Sequence, residues 1–351
     1  MSCQKCQNIQ PVTNTGGNLL ISCAVVELAE IMVEYLEKNK IGYELEDKRT
    51  LWAKIDTFAD AISDMCKTHF TSKVLRDDVK MLFLESHETL TPSALIRMKT
   101  LQQYKDLLSS QKLIEIIEDG SLTTHFQPII DIQTSNIYGY ESLVRGVEDD
   151  GSLIYPDKLF GWAKDGDMLF YLDRACRETS LKTAAVKNIH AKVFINFIPT
   201  AIYDPNHCLQ STVAWAKQLN FDPKNIIFEV VESEYVTDIE HLKTILDFYK
   251  SQGYMVALDD VGSGYSSLNM IAKLLPDIIK IDREIIDNID TNAVNQSIFK
   301  AIVQIAKENG IIVLAEGIER AEELAFCAKE GADLAQGYYF GKPSAEPRRK
   351  L

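Results

Sequence analysis

No apolar run in this 351-residue chain approaches the roughly 18–20 residues that a membrane-spanning helix needs. The N-terminus lacks the charged-then-apolar pattern of a secretory signal, so the expectation is a cytoplasmic protein. Basic residues are in short supply. Lys and Arg number 37 against 51 Asp and Glu, a net charge of −14. That balance argues against a surface built for nucleic acid or an anionic membrane, since both need clustered cations. It does not exclude a small phosphate-bearing ligand, which metal ions or one arginine can neutralise locally. A second Cys-x-x-Cys, or a histidine pair at zinc spacing, is also missing. The seven cysteines (Cys3, Cys6, Cys23, Cys66, Cys176, Cys208 and Cys327) are scattered and odd in number, which suits reduced thiols. Cys3-x-x-Cys6 alone reads as part of a frayed terminus, with metal or redox sensing the less favoured alternative.

What is present is ordinary globular material, 46% hydrophobic and 25% charged. The length accommodates one domain of about 250 residues plus a smaller one. Residues 1–18 read as a flexible tail. Leu19–Cys23 is strand-like, and 24–39 carries apolar residues at helical spacing (Val25, Leu28, Ala29, Met32, Tyr35, Leu36). A strand over Gly42–Glu46, a helix around Leu51–Cys66 and a strand over Val79–Leu84 complete a small α/β domain over 19–90. Thr91-Pro92 is a helix start, and the apolar spacing from Leu95 onward predicts one connector helix over 91–118. An ordinary packed helix and a rigid signal relay are both compatible with it.

From 119 to 351 the rhythm becomes regular. Short apolar runs recur at 125–130, 137–144, 193–197, 226–231, 255–259, 278–281, 311–316 and 335–340, most separated by a helical pattern. Eight strands at that spacing predict a (β/α)8 barrel, with a doubly wound open sheet as the alternative. Polar residues that are costly to bury fall within or at the ends of these runs: Glu141, Asn196, Glu229, Asp259, Asp260, Lys280, Glu316 with Glu319 beyond it, and Gln336, which opens the last. Any one of them reads more readily as a satisfied core group or a helix cap. Seven successive runs that all carry one do not. In a barrel the carboxyl ends of the strands converge on one mouth.

Carboxylates plus an amide, without clustered His or Cys, are hard oxygen donors suited to Mg²⁺ or Mn²⁺. So many acids in one mouth make two ions reasonable. Two ions, one lysine and an arginine match in-line attack of water on a phosphodiester. Arg145, four residues after Glu141, is the natural phosphate clamp. GSGYSS is not a P-loop, because no Gly-Lys-Ser/Thr follows it.

The sequence resembles the EAL-domain cyclic-di-GMP phosphodiesterases over roughly residues 115–345. The naming triplet stands as Glu141-Ser142-Leu143 in YGYESLVRG; FINF, FEVVES, LDDVGSGYSSL, IKID, LAEGIE and QGYYFGKP follow in the family's order. The resemblance implies a modified TIM barrel of the EAL type that hydrolyses cyclic di-GMP to linear pGpG. It assigns metal ligation to Glu141, Asn196, Glu229, Asp259, Asp260 and Gln336, with Glu316 completing the shell. Lys280 would hold the attacking water, Glu316 is the alternative general base, and Glu319 would support the site. Arg145 and Gln127 would contact substrate. The loop after the Asp pair, with Gly262 and Gly264 and steadied by Glu232, would organise the second metal. A homodimer is also implied. Two residues depart from the pattern. Ser142 replaces alanine, with little loss expected, and Val261 replaces phenylalanine beside the family's dimer contact. A non-catalytic cyclic-di-GMP receptor is the rival reading, but such members typically lack one or more of these ligands, and here all are present.

Overall fold

Leu19, Ile21 and Cys23 face one side of the first strand and Leu20 the other, the two-residue period that lets a sheet carry helices on one face. The computed structural model describes residues 14–166, 168–231, 238–262 and 267–350. It divides into two compact units: Met1–Glu118 with Phe160–Met168, and Asp119–Leu159 with Leu169–Leu351.

The first unit holds β1 (Gly17–Cys23), β2 (Tyr43–Leu45), β3 (Thr50–Ile55), β4 (Val79–Glu85) and β5 (Lys99–Thr100) in the order β2-β3-β1-β4-β5. All four pairings are antiparallel, giving a split-βαβ plait. Helices Val26–Lys38 and Phe58–Thr68 supply apolar side chains to its core, among them Met32, Leu36, Phe58 and Ile62.

Two expectations need correction here. Leu51, expected to open a helix, lies in β3. Leu51, Ala53 and Ile55 alternate along a strand, and helical spacing begins only at Phe58. Residues 91–118, expected as one connector helix, form a short helix Pro92–Leu95, the strand β5, and a second helix Leu101–Glu118. Thr91 does cap the first, its Oγ1 accepting from Ala94 N. The second has its own start signal. Thr100 Oγ1 accepts from Gln103 N, and Gln103 Oε1 accepts from Thr100 N, a reciprocal capping box. Leu101 and Tyr104 are buried in the first unit's core.

The second unit is a closed barrel. Its staves are β6 (Leu122–Asp131), β7 (Ile137–Val147), β9 (Lys192–Asn196), β10 (Ile226–Val231), β11 (Met255–Val261), β12 (Ile278–Ile281), β13 (Ile312–Ala315) and β14 (Leu334–Gln336). A two-residue strand, β8 (Leu153–Ile154), lies outside β7. β6 pairs with both β7 and β14, so the ring closes and an open sheet is ruled out. Both of those pairings are antiparallel, and β6 and β7 are joined by a hairpin rather than a helix. This is the modification to the plain (β/α)8 pattern. Ser135 takes a left-handed φ of 56° in that turn, and Asp131 Oδ1 accepts from Thr134 N at 2.8 Å.

The last stave is shorter than the expected 335–340. A Cβ on Gly337 would stand 2.0 Å from the Ile318 carbonyl oxygen, so the chain turns there against that loop.

Inside the ring, Ile129, Phe194, Ile227, Ala257, Ile278, Leu314 and Leu334 pack into one apolar cluster. Two residues further along each parallel stave come Asn196, Glu229, Asp259, Lys280, Glu316 and Gln336. On the reversed β6 the equivalent residue is Gln127, two before Ile129. Strand periodicity therefore places a polar layer directly above an apolar plug.

Candidate active site

The polar layer is centred on Lys280, whose side chain is 1% exposed. Its Nζ lies 2.8 Å from Glu316 Oε1, 3.0 Å from Glu229 Oε1, 3.1 Å from Asp259 Oδ1 and 3.9 Å from Glu141 Oε1. Glu141 is tied from two other staves. Gln336 Nε2 donates to its Oε2 at 2.6 Å and Asn196 Nδ2 to its Oε1 at 3.3 Å.

Adjacent residues of a regular strand face opposite sides, so Asp259 and Asp260 should not both reach the interior. The β11–β12 ladder is irregular between Leu258 and Val261, and Asp260 takes a left-handed φ of 55°. This bulge lets carboxylate oxygens of Asp259, Asp260 and Glu316 come within 4.8 Å of one another. Oxygens of Glu141, Glu229 and Asp259 form a second such group, so Asp259 belongs to both.

The electrostatics follow from this crowding. Burial pushes the Glu229 and Glu316 carboxyls well above their usual range, and the neighbouring acids add to it. Asp260 is raised to about 6 by burial and by Asp259 and Asp282. Burial opposes the Lys280 charge, but Asp259, Glu141, Glu229 and Glu316 outweigh it and hold the ammonium protonated.

The donor set fits hard divalent cations. Four carboxylates surround one ammonium and Asp260 adds a fifth beside Asp259 and Glu316, the further oxygen donors are amides, and the buried acceptors Glu229 Oε2 and Gln336 Oε1 have no hydrogen-bond partner among the described residues. Such oxygens are costly to bury unless a cation faces them.

Other expected residues are placed as follows. Arg145 lies on the same face of β7 as Glu141, two pleats on. It is buried, donates from Nη1 to the Val144 carbonyl, stacks its guanidinium 5.1 Å from the Tyr155 ring, and has no hydrogen-bond partner for Nε among the described residues. Gln127 lies opposite Glu141 in the β6–β7 ladder, and its amide nitrogen donates to the Gly341 carbonyl at 3.3 Å. Glu319 is not gathered around Lys280. Its half-exposed carboxylate pairs with Arg283 Nη2 at 2.8 Å. Gly262 follows the bulge with φ 106°, and a Cβ there would press on Ile285. Glu232 and Gly264 lie outside the described residues, as do Cys3 and Cys6. Val261 is fully buried in the outer core.

Asp282 was not singled out from the sequence, although it stands two residues beyond Lys280, the same parity along the chain. It caps helix Arg283–Ile286 and bears on Asp260.

The family description "EAL domain" matches residues 110–343. Among curated relatives, the cyclic di-GMP phosphodiesterase NbdA of Pseudomonas aeruginosa is 29% identical over 257 residues, covering 70% of this chain and 32% of the relative. The cyclic di-GMP phosphodiesterase PdeR of Escherichia coli is 30% identical over 234 residues, covering 66% and 35%. The chain thus spans about a third of the length of these relatives. A standalone EAL protein of Vibrio cholerae, solved bound to c-di-GMP, superposes with a TM-score of 0.58 at 39% identity, over 64% of this chain and 92% of that one. An EAL-domain protein of Listeria monocytogenes gives 0.60 at 26% identity, over 67% and 94%. No helix among the described residues is long and apolar enough to cross a membrane. Closed barrel, reversed first stave, acid-lined mouth and family match agree: this chain belongs to the EAL-domain family, as its own Glu141-Ser142-Leu143 suggested.

Proposed function

We propose that this chain is a metal-dependent phosphodiesterase that opens one phosphodiester bond of cyclic di-GMP to give linear pGpG. The single observation that carries this reading is the Lys280 ammonium held among four carboxylates, three from staves β7, β10 and β11 and one just past β13, with Asp259 shared between two clusters of ligand oxygens. Glu141, Asn196, Glu229, Asp259, Asp260 and Gln336 would hold Mg²⁺ or Mn²⁺, as two ions, with Glu316 at the edge. Ions bound there supply Lewis-acid polarisation of the phosphodiester and acidify water.

The protein's own groups do the rest. Lys280 donates hydrogen bonds that orient the attacking water and stays charged throughout, so it acts by position rather than by proton transfer. Glu316 accepts the water's proton, a role supported by its lying 2.8 Å from Lys280. Arg145, with an Nε unpartnered among the described residues and a ring-braced guanidinium, clamps a phosphate oxygen. Gln127 and Glu319 support from further out. The first unit is proposed to regulate the barrel, because a folded domain precedes an equipped site, and the active form is proposed to be a homodimer working in the cytoplasm.

Purified full-length protein should convert cyclic di-GMP to pGpG with Mg²⁺ or Mn²⁺ and not in EDTA, and Glu141→Ala should abolish turnover. Hydrolysis undiminished in that variant refutes the role of Glu141. Tight nucleotide binding without turnover points to a receptor instead. Turnover by residues 115–351 compared with the full chain tests regulation; equal rates at equal oligomeric state count against it.

A further inference from the structure

Outside the barrel wall lies a buried ion pair that the reaction does not use. Asp173 and Arg177, one turn apart on helix Leu169–Val186, are 1% and 0% exposed. Arg177 donates to Asp173 Oδ2 from Nε at 3.0 Å and from Nη2 at 2.8 Å, and from Nη1 to Thr212 Oγ1. A buried pair of this kind is poorly explained by stability. Apolar residues of the same volume often serve as well or better, since both charges must be stripped of water.

The other oxygen of Asp173 shows what the pair is aimed at. Oδ1 accepts the Ile198 backbone N–H at 2.8 Å, two residues past Asn196. Between them, Phe197 N–H donates to the carbonyl oxygen of Glu229 at 3.1 Å. The Phe197 ring also packs edge-on against Phe228 and Tyr249, and Tyr249 lies stacked 3.8 Å from Phe228. The segment just past Asn196 is thus tied to Asp173 through the Ile198 amide and to the Glu229 carbonyl through the Phe197 amide, while Arg177, itself bonded to Thr212, holds the other oxygen of Asp173.

We propose that Asp173 and Arg177 are positioning residues for the metal site, acting through the Ile198 amide to hold Asn196 and Glu229 at ligating distance. This rests on the metal-dependent reading above and adds residues that no ligand touches. A carboxylate that orients a ligand-bearing segment commonly changes metal affinity by about 10- to 100-fold when removed.

The test is Mn²⁺ alone titrated into the full chain, with free ion followed by electron paramagnetic resonance and folding by thermal melting. Asp173→Leu/Arg177→Met is expected to melt close to wild type and to bind Mn²⁺ roughly 10-fold or more weakly. Asp173→Asn keeps an oxygen for the Ile198 amide and is expected to hold most of the wild-type affinity, even though it leaves the Arg177 charge unbalanced. A folded double variant with unchanged affinity overturns the proposal, as does an Asn variant that melts as a folded protein and binds as weakly as the folded Leu/Met pair. If the double variant fails to fold, Thr212→Val, which unlatches Arg177 without adding charge, takes its place. A weakening of about three-fold or more supports the role, and an unchanged affinity overturns it. Wild-type protein that binds no Mn²⁺ overturns the metal-dependent reading itself, and this role with it, before any variant is compared.

Discussion

Lys280 Nζ lies 2.8 Å from Glu316 Oε1, bridging β12 and the residue just past β13. The contact puts a permanent positive charge where divalent cations are proposed to bind, so the lysine and the ions compete for the same oxygens. Lys280→Met should therefore separate binding from chemistry. Turnover is expected to fall by about 10²- to 10³-fold, as for loss of one preorganised donor, while Mn²⁺ affinity holds or rises. Parallel kinetics and metal titration check this. A variant that loses metal affinity together with turnover contradicts the role given to Lys280.

Asp259 is common to both groups of ligand oxygens, whereas Glu229 belongs to one. Asp259→Asn should abolish binding at both positions. Glu229→Gln, isosteric and buried, should leave roughly one ion per chain at millimolar Mn²⁺. Stoichiometry by equilibrium dialysis reads the difference, and equal stoichiometry in the two variants removes the case for a shared ligand.

Ser142 stands in β7 beside Glu141 on the opposite face, 4% exposed, and its hydroxyl has no hydrogen-bond partner among the described residues. An unpaired buried hydroxyl costs about 1–3 kcal/mol. Ser142→Ala should thus stabilise the protein by about 1 kcal/mol without changing turnover. A denaturant midpoint that falls instead shows that the hydroxyl has a partner in solution.

Glu323 is buried at the start of helix Ala321–Glu330, where it accepts backbone N–H groups from Glu319, Arg320 and Asn288. Burial alone would raise its carboxyl, but those donors and the Arg320 guanidinium outweigh it and hold the group below the usual range. A depressed folded-state pKa means a contribution that is complete above the unfolded value, near 4.5, and lost as pH falls through the folded one. Glu323→Gln should lower the melting point at neutral pH, and the gap from wild type should narrow toward pH 3. A gap that stays constant from pH 7 to pH 3 excludes this linkage.

The barrel was legible because its periodicity is doubled. Apolar Phe194, Ile227, Ala257, Ile278, Leu314 and Leu334 each precede a polar residue by two positions, and only strands with one common interior turn that pattern into a ring. The bulge at Asp260 was not legible, since two adjacent acids read equally well as a helix cap. Reversal of β6 was legible but unread: only six residues separate the runs at 125–130 and 137–144, too few for a helical crossover between parallel strands. In the first unit, Leu51–Ile55 was absorbed into a helical window because Leu51, Ile55, Phe58 and Ile62 also fit that period. The Thr100–Gln103 box was a usable signal for the break at β5, hidden by continuous apolar spacing across it.

Because β6 bonds to β14, the first stave to leave the ribosome has to wait for the last. Until Gln336 emerges, one edge of the sheet stays open and Glu141 lacks the amide that holds its Oε2. Glu141 therefore waits through synthesis of nearly 200 further residues before its enclosure can finish, a long-range closure of the sort that folds slowly. Whatever is captured there is captured by a chain already complete to β14.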